Sequence, residues 1–226
     1  MKNIIIKSLF LSVSLIIVLI VFLSIFGIET DKFNNQIKKR ISQTNQNLDL
    51  DLKKIKLILD PFNFKIYAKT VGATIFFSKK PLELEYIKSQ VSLKSIIKNK
   101  ISSSNIQVAS KSILLNDLIK FIRATNNKPE LFIIEKIVKK GHIILDINLN
   151  IDDGKIKSDY EIKGTIKDAS INFLNQAKFK NLNFNFNLKK DNYSLNELKF
   201  NTEEVNFISK KLNIKKKKNS FLIDGV

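Results

Sequence analysis

The sequence predicts a mainly β domain, an antiparallel meander, carried behind one N-terminal transmembrane helix. Three observations predict it. Residues 9–28, LFLSVSLIIVLIVFLSIFGI, hold no charged side chain. From Leu48 onward apolar residues recur at alternate positions, the period of a strand with one buried face. In the second half these runs return roughly every ten residues, the spacing of consecutive antiparallel strands.

The composition supports a folded domain. With 44% hydrophobic residues the chain is too apolar to be disordered. Its formal charge of +18 comes almost wholly from Lys, with Arg only at 40 and 123. Nucleic-acid readers rely on the bidentate Arg fork, so this balance argues against a nucleic-acid partner and fits attraction to anionic headgroups better. There is no Cys, which excludes disulfides and thiolate metal sites.

The uncharged run would span about 30 Å as a helix, the thickness of a bilayer's hydrocarbon core. It exceeds the apolar part of a signal peptide, and Ser24-Ile25-Phe26-Gly27 is a poor cleavage site. It has no polar face, unlike a helix of a soluble core. An uncleaved single-pass anchor over 9–28 follows. Lys2 and Lys7 place residues 1–8 in the cytoplasm and export the rest, although Lys38, Lys39 and Arg40 also flank the far side. In a diderm bacterium the anchor lies in the inner membrane and the domain in the periplasm.

Residues 29–47 are polar, with Phe33, Ile37 and Ile41 at helical spacing, which predicts that the anchor helix continues as a stalk. The β domain then occupies 48–226. Leu48, Leu50 and Leu52 alternate with Asp49, Asp51 and Lys53; Phe62, Phe64, Ile66 and Ala68 alternate after Pro61; and 73–77 and 82–87 form short strands, with Gly72 and Pro81 marking turns. VSLKSIIKN at 91–99 reads as strand then helical turn, and Ile106 and Val108 resume the alternation. A helix is predicted over 113–124 from Leu114, Leu115, Leu118, Ile119 and Ile122. A second runs from Pro129 to Lys139, with Gly141 as its cap. Ile143, Leu145, Ile147, Leu149 and Ile151 then alternate up to a turn at Asp152-Asp153-Gly154. The return strand carries Ile156, Ser158, Tyr160, Ile162, Gly164 and Ile166. Later strands hold Ile171 and Phe173, 182–188 (LNFNFNL), 195–200, 205–208 and 212–214. The closing FLIDGV reads as a strand entering a turn, so the sheet is expected to continue in a longer protein.

One-sided strands need a cover, and two short helices are few. A sandwich, a closed barrel, or an open sheet whose apolar face holds something else would each satisfy them. A dry core is the default reading of the Phe-rich faces. There is no phosphate loop, no His cluster and no carboxylate constellation; Asp152-Asp153 is explained by its turn, and Asp49 and Asp51 by a solvated face. No enzyme and no cofactor is expected.

The order of parts resembles the N-terminal region of AsmA-like proteins, bacterial relatives of bridge-like lipid-transfer proteins. The likeness rests on the anchor and stalk, on LDLDLKKIKLILDPFNFKIYA, on VSLKSIIKNKISSSNIQV, and on KKGHIILDINLNIDDGKIKSDYEIKGTIKDASINF. It implies a curved, taco-like or groove-like sheet lined by apolar side chains, with Ile143, Leu145, Ile147, Leu149, Tyr160, Ile162, Leu182, Phe184, Phe186 and Leu188 as candidate lining. It also implies phospholipid as partner, in transport between inner and outer membranes or in outer-membrane homeostasis. The alternative is an anchored β scaffold that binds a protein partner in cell-envelope assembly. At 226 residues the chain is too short to bridge two membranes alone.

Overall fold

The computed structural model describes residues 2–94, 103–126, 128–152, 155–173, 177–217 and 220–226. It opens with α1 (Lys2–Ile25), apolar all round, within which Asn3–Ile25 is long and apolar enough to be a candidate membrane span. The helix stops before the apolar run does. Gly27 takes a left-handed φ of +69°, and a Cβ there would collide with the Leu57 carbonyl oxygen. Ile28 therefore leaves the helix and enters β1 (Ile28–Thr30), which pairs antiparallel with β3 (Ile55–Asp60), Ile28 opposite Leu57.

No continuous stalk exists over 29–47. After β1 the chain forms a separate helix, α2 (Asn34–Thr44). The spacing that suggested a stalk has another use: Ile37 and Ile41 pack on a cluster of Leu50, Ala73 and Leu84. Lys38 reaches Asp49 at 3.0 Å, and Asn34 Nδ2 donates to the Leu52 and Lys53 carbonyls at 3.0 Å. These contacts tie α2 to the sheet.

Strands β2 (Leu48–Asp51) and β3 lie against β5 (Thr74–Phe77) and β4 (Lys65–Val71), respectively. Both β4 and β5 pair with the long β6 (Lys80–Ser92). Gly72 marks the bend between β4 and β5, while the turn into β6 is Ser78-Lys79, both at positive φ. Pro81 is thus inside β6, opposite Phe76, and not in the turn. Phe62 and Phe64 precede β4 in its hairpin turn, so the alternation starts at Lys65. Within 91–99, strand persists through Ser92; residues 95–99 lie outside the described ones.

The sheet continues through β7 (Ser103–Ser110), β9 (Val138–Asp152), β11 (Glu161–Phe173), β12 (Ala177–Lys189), β13 (Asn192–Asn201), β14 (Asn206–Lys216) and β15 (Phe221–Gly225). Short β8 (Ile113–Leu114) and β10 (Lys155–Ile156) flank β9. Every pairing is antiparallel, in the order β1-β3-β4-β6-β7-β9-β11-β12-β13-β14-β15, and the two ends do not meet. The sheet is open, as an antiparallel meander with an N-terminal helix should allow. The return strand is broken: β10 ends at Ile156, β11 begins at Glu161, and Tyr160 belongs to neither. The Asp153-Gly154 turn lies outside the described residues.

Between β8 and β9 come α3 (Leu115–Thr125) and α4 (Pro129–Ile137). Leu114 is extended and exposed; Leu115 and Ile119 are the buried members of α3. Helix α4 ends at Ile137, short of Lys139, and Gly141 is inside β9 rather than a helix cap. Its φ of +134° and its neighbours explain the glycine: a Cβ would lie 2.7 Å from Ala169 Cα and from Leu115 Cδ1. Here β9 passes too close to both β11 and α3 for any side chain.

Gly141 belongs to a line of irregularities. Asp168, Asn181 and Glu197, all at positive φ, sit at register breaks in β11, β12 and β13. Bulges bend and twist strands, so bulges aligned over four neighbouring strands bend the sheet along one line. Asn183 joins two of them, accepting from the Asp168 N–H at 3.0 Å and donating to the Asn181 carbonyl at 2.7 Å.

Candidate apolar groove

Residues directly opposite in antiparallel strands share a face, so the register alone shows how the face is composed. One row runs without interruption through ten strands: Ile55, Thr70, Ile87, Val108, Ile147, Ile162, Leu188, Tyr193, Ile214 and Ile223. At about 4.8 Å per strand this row is about 43 Å long. The next row, on the opposite face, reads Lys56, Lys69, Lys88, Gln107, Asn148, Glu161, Lys189, Asn192 and Lys215. The sheet is amphipathic in register across most of its width.

Two covers protect parts of the apolar face. At one end of the strands α3 lies on it, and Leu115, Ile119, Val138, Ile143, Ala169 and Phe186 form a buried cluster. Phe186 is 7% exposed because its ring fills the space over Gly164, its cross-strand partner. The second cover is α2, over β2–β7. Between α2 and the sheet remains a cavity of about 540 Å³, its walls including Ile37, Ile41, Leu50, Ile55, Ile87 and Val108. Its size is that of a small-molecule site. Thr70 is buried there, and its hydroxyl finds no hydrogen-bond partner among the described residues. Of the row, Ile147 between the two covers and Tyr193 and Ile214 beyond them are half-buried, and Ile223 at the far edge is exposed.

The opposite face is crosslinked and polar. Asn105 Nδ2 donates to the side-chain oxygens of Asn148 (2.6 Å) and Asn150 (2.9 Å), and Thr165 donates to Asn185 at 2.7 Å. The Glu161 carboxylate accepts from Asn187 Nδ2 at 2.9 Å and from Lys163 and Lys189 at 3.1 and 3.2 Å. These donors, Asn187 first, hold its pKa down to about 2. A depression of about 560 Å³ on this face is walled by polar side chains such as Asp146, Lys163, Asn185 and Asn196 together with Tyr86 and Ile144. Among the described residues no group of His, Asp and Glu could hold a metal ion. His142 is exposed, opposite Lys167 in the β9–β11 ladder.

The residues proposed from sequence as lining separate into three sets. Ile143 and Phe186 are core, and Leu145, Ile162, Leu182, Phe184 and Leu188 pack partly buried around them. Ile147 and Leu149 belong to neither buried cluster and face the uncovered stretch. Tyr160 lies off the row, before β11. Sequence reading missed the cavity walls Ile37, Ile41, Ile55 and Ile87. The signal for the last two was the same alternation; what hid the first two was their assignment to a stalk. No known family, curated protein or solved structure matches this chain.

Proposed function

We propose that the chain is a single-pass membrane protein that takes phospholipid acyl chains onto its uncovered apolar face. The observation that carries this reading is the ten-strand row, of which Ile147, Tyr193, Ile214 and Ile223 lie outside both buried clusters while Ile55, Ile87 and Val108 line the cavity beneath α2. An acyl chain laid there loses no hydrogen bonds and leaves water, at about 0.8 kcal/mol per buried CH₂. The cavity sits on β3, β4 and β6, the strands nearest α1 along the sheet. Apolar cargo therefore enters next to the helix that meets the bilayer. The resemblance to AsmA-like proteins points the same way: an inner-membrane anchor, a periplasmic domain, and a part in phospholipid movement toward the outer membrane.

The test is site-specific photocrosslinking in native membranes. A photoreactive residue at Ile147 or Ile87 should yield phospholipid adducts, and one at Lys163 on the polar face should not. Adducts to one dominant protein with no lipid would replace this reading with that of a scaffold for an envelope protein partner. Equal lipid labelling on both faces would also overturn it.

A further inference from the structure

The hairpin between β3 and β4 carries an apolar tip that the groove does not use. Phe62 is 93% exposed and Phe64 68% exposed. Turns are normally built of small or polar residues, and a bulky residue at positive φ is uncommon, yet Phe64 holds φ +50°. The tip is nevertheless well fixed. Asp60 accepts from the Asn63 N–H at 3.0 Å and from its Nδ2 at 2.9 Å, and the Leu93 N–H donates to the Phe64 carbonyl at 2.8 Å. Two rings are thus held outward by a bonded turn.

The register shows where they are held. β1 runs antiparallel to β3 with Ile28 opposite Leu57, so the chain before Ile28 lies beside the residues after Leu57. The end of α1 packs against β3. Between residues 3 and 26 only Ile20, Leu23 and Ser24 are partly buried rather than exposed, and their spacing makes one stripe. One side of the last turns of α1 therefore faces the sheet, and the hairpin points back along the helix. Phe offers no polar atom, which fits hydrocarbon. Tyr67, just behind the tip and 40% exposed, is of the type enriched where a bilayer meets water.

We infer that Phe62 and Phe64 insert into the leaflet from which α1 emerges, giving the domain a second foothold beside its anchor. This rests on the reading of α1 as a membrane span. It sets the β3–β4 end of the strands toward the bilayer and the α3 end away from it.

The chain has no Trp, so single Phe→Trp variants of the full chain report position by fluorescence. The probe is a vesicle of phosphatidylethanolamine and phosphatidylglycerol whose acyl chains carry bromine at shallow or deep positions. Phe10→Trp reports the anchor, Phe62→Trp the tip, and Phe173→Trp the opposite end of the strands. Quenching in the Phe62→Trp variant, strongest with shallow bromines, is expected together with quenching in Phe10→Trp and none in Phe173→Trp. Combining Phe64→Asn, a residue that tolerates positive φ, with Phe62→Trp should at least halve the quenching at the tip. Combined with Phe10→Trp it should leave the quenching of the anchor unchanged. A quenched anchor with the tip no better quenched than the far end of the strands overturns the insertion and spares the anchor. An unquenched anchor overturns both. Full quenching at the tip in the presence of Phe64→Asn removes Phe64 from the foothold.

Discussion

Glu161 stands at the centre of the polar face, and its chemistry gives that face a pH dependence. Its carboxyl is held at about 2, against an ordinary 4.5, by Asn187, Lys163 and Lys189. A carboxylate with a lowered folded pKa adds stability above its unfolded pKa, and that stability is lost as pH falls from about 4.5 toward about 2. Glu161→Gln cannot titrate. Urea midpoints measured from pH 5 to pH 2 should therefore fall more steeply for the natural chain than for this variant. The site is solvent-accessible, so the difference is modest and shrinks with salt. Gly141 is the stricter position. Alanine there would meet backbone and side chain at 2.7 Å on two sides and would keep a positive φ. Overpacking and backbone strain together should cost about 3 kcal/mol in denaturant unfolding.

At the scale of elements, period was legible and boundaries were not. Ile143 to Ile151 and 182–188 show their strands because one face is apolar and the other, Ile144 apart, is Asp and Asn, so the two-residue period is plain. The apolar run at the N-terminus gave α1 equally directly. Its end was misplaced because hydropathy does not distinguish Ile28 in a helix from Ile28 in a strand; Gly27 and the pairing with Leu57 do. The stalk failed for a related reason. Ile37 and Ile41 mark an amphipathic helix correctly, but whether its apolar stripe continues the anchor or closes over a sheet depends on long-range contact with Leu50 and Ala73. The bulge line was hidden because Asp168, Asn181 and Glu197 are not glycines; Asp and Asn tolerate positive φ, but they are too frequent in this chain to mark a bulge. It has a test of its own. Asn183→Ala removes the side chain that bonds two bulges and should lower stability by roughly 1 kcal/mol. Lys38→Ala, which breaks an exposed ion pair, should change it by less than about 0.5 kcal/mol.

At the scale of the molecule, an open amphipathic sheet raises the question of which apolar side chains hold the fold together and which are left for something else. In the sequence, LNFNFNL makes Phe184 and Phe186 the conspicuous candidates for a lipid-facing surface. The structure divides them from the rest: Phe186 is buried over Gly164 beneath α3, whereas Ile147, between Val108 and Ile162, lies in neither cluster. The two positions should therefore respond differently to the same change. Phe186→Lys places an unpaired charge in a packed core and should destabilise by about 4 kcal/mol or more. Ile147→Lys leaves both clusters intact and, being half-exposed, should cost about 1 kcal/mol. If the uncovered row carries acyl chains, Ile147→Lys will still melt near the temperature of the natural chain, yet lose most of the phospholipid crosslinked at Ile87 on the same row. A variant that keeps full crosslinking with a lysine at the midpoint would mean that lipid, if bound, does not run along the row. Function would then reside in the cavity under α2 alone.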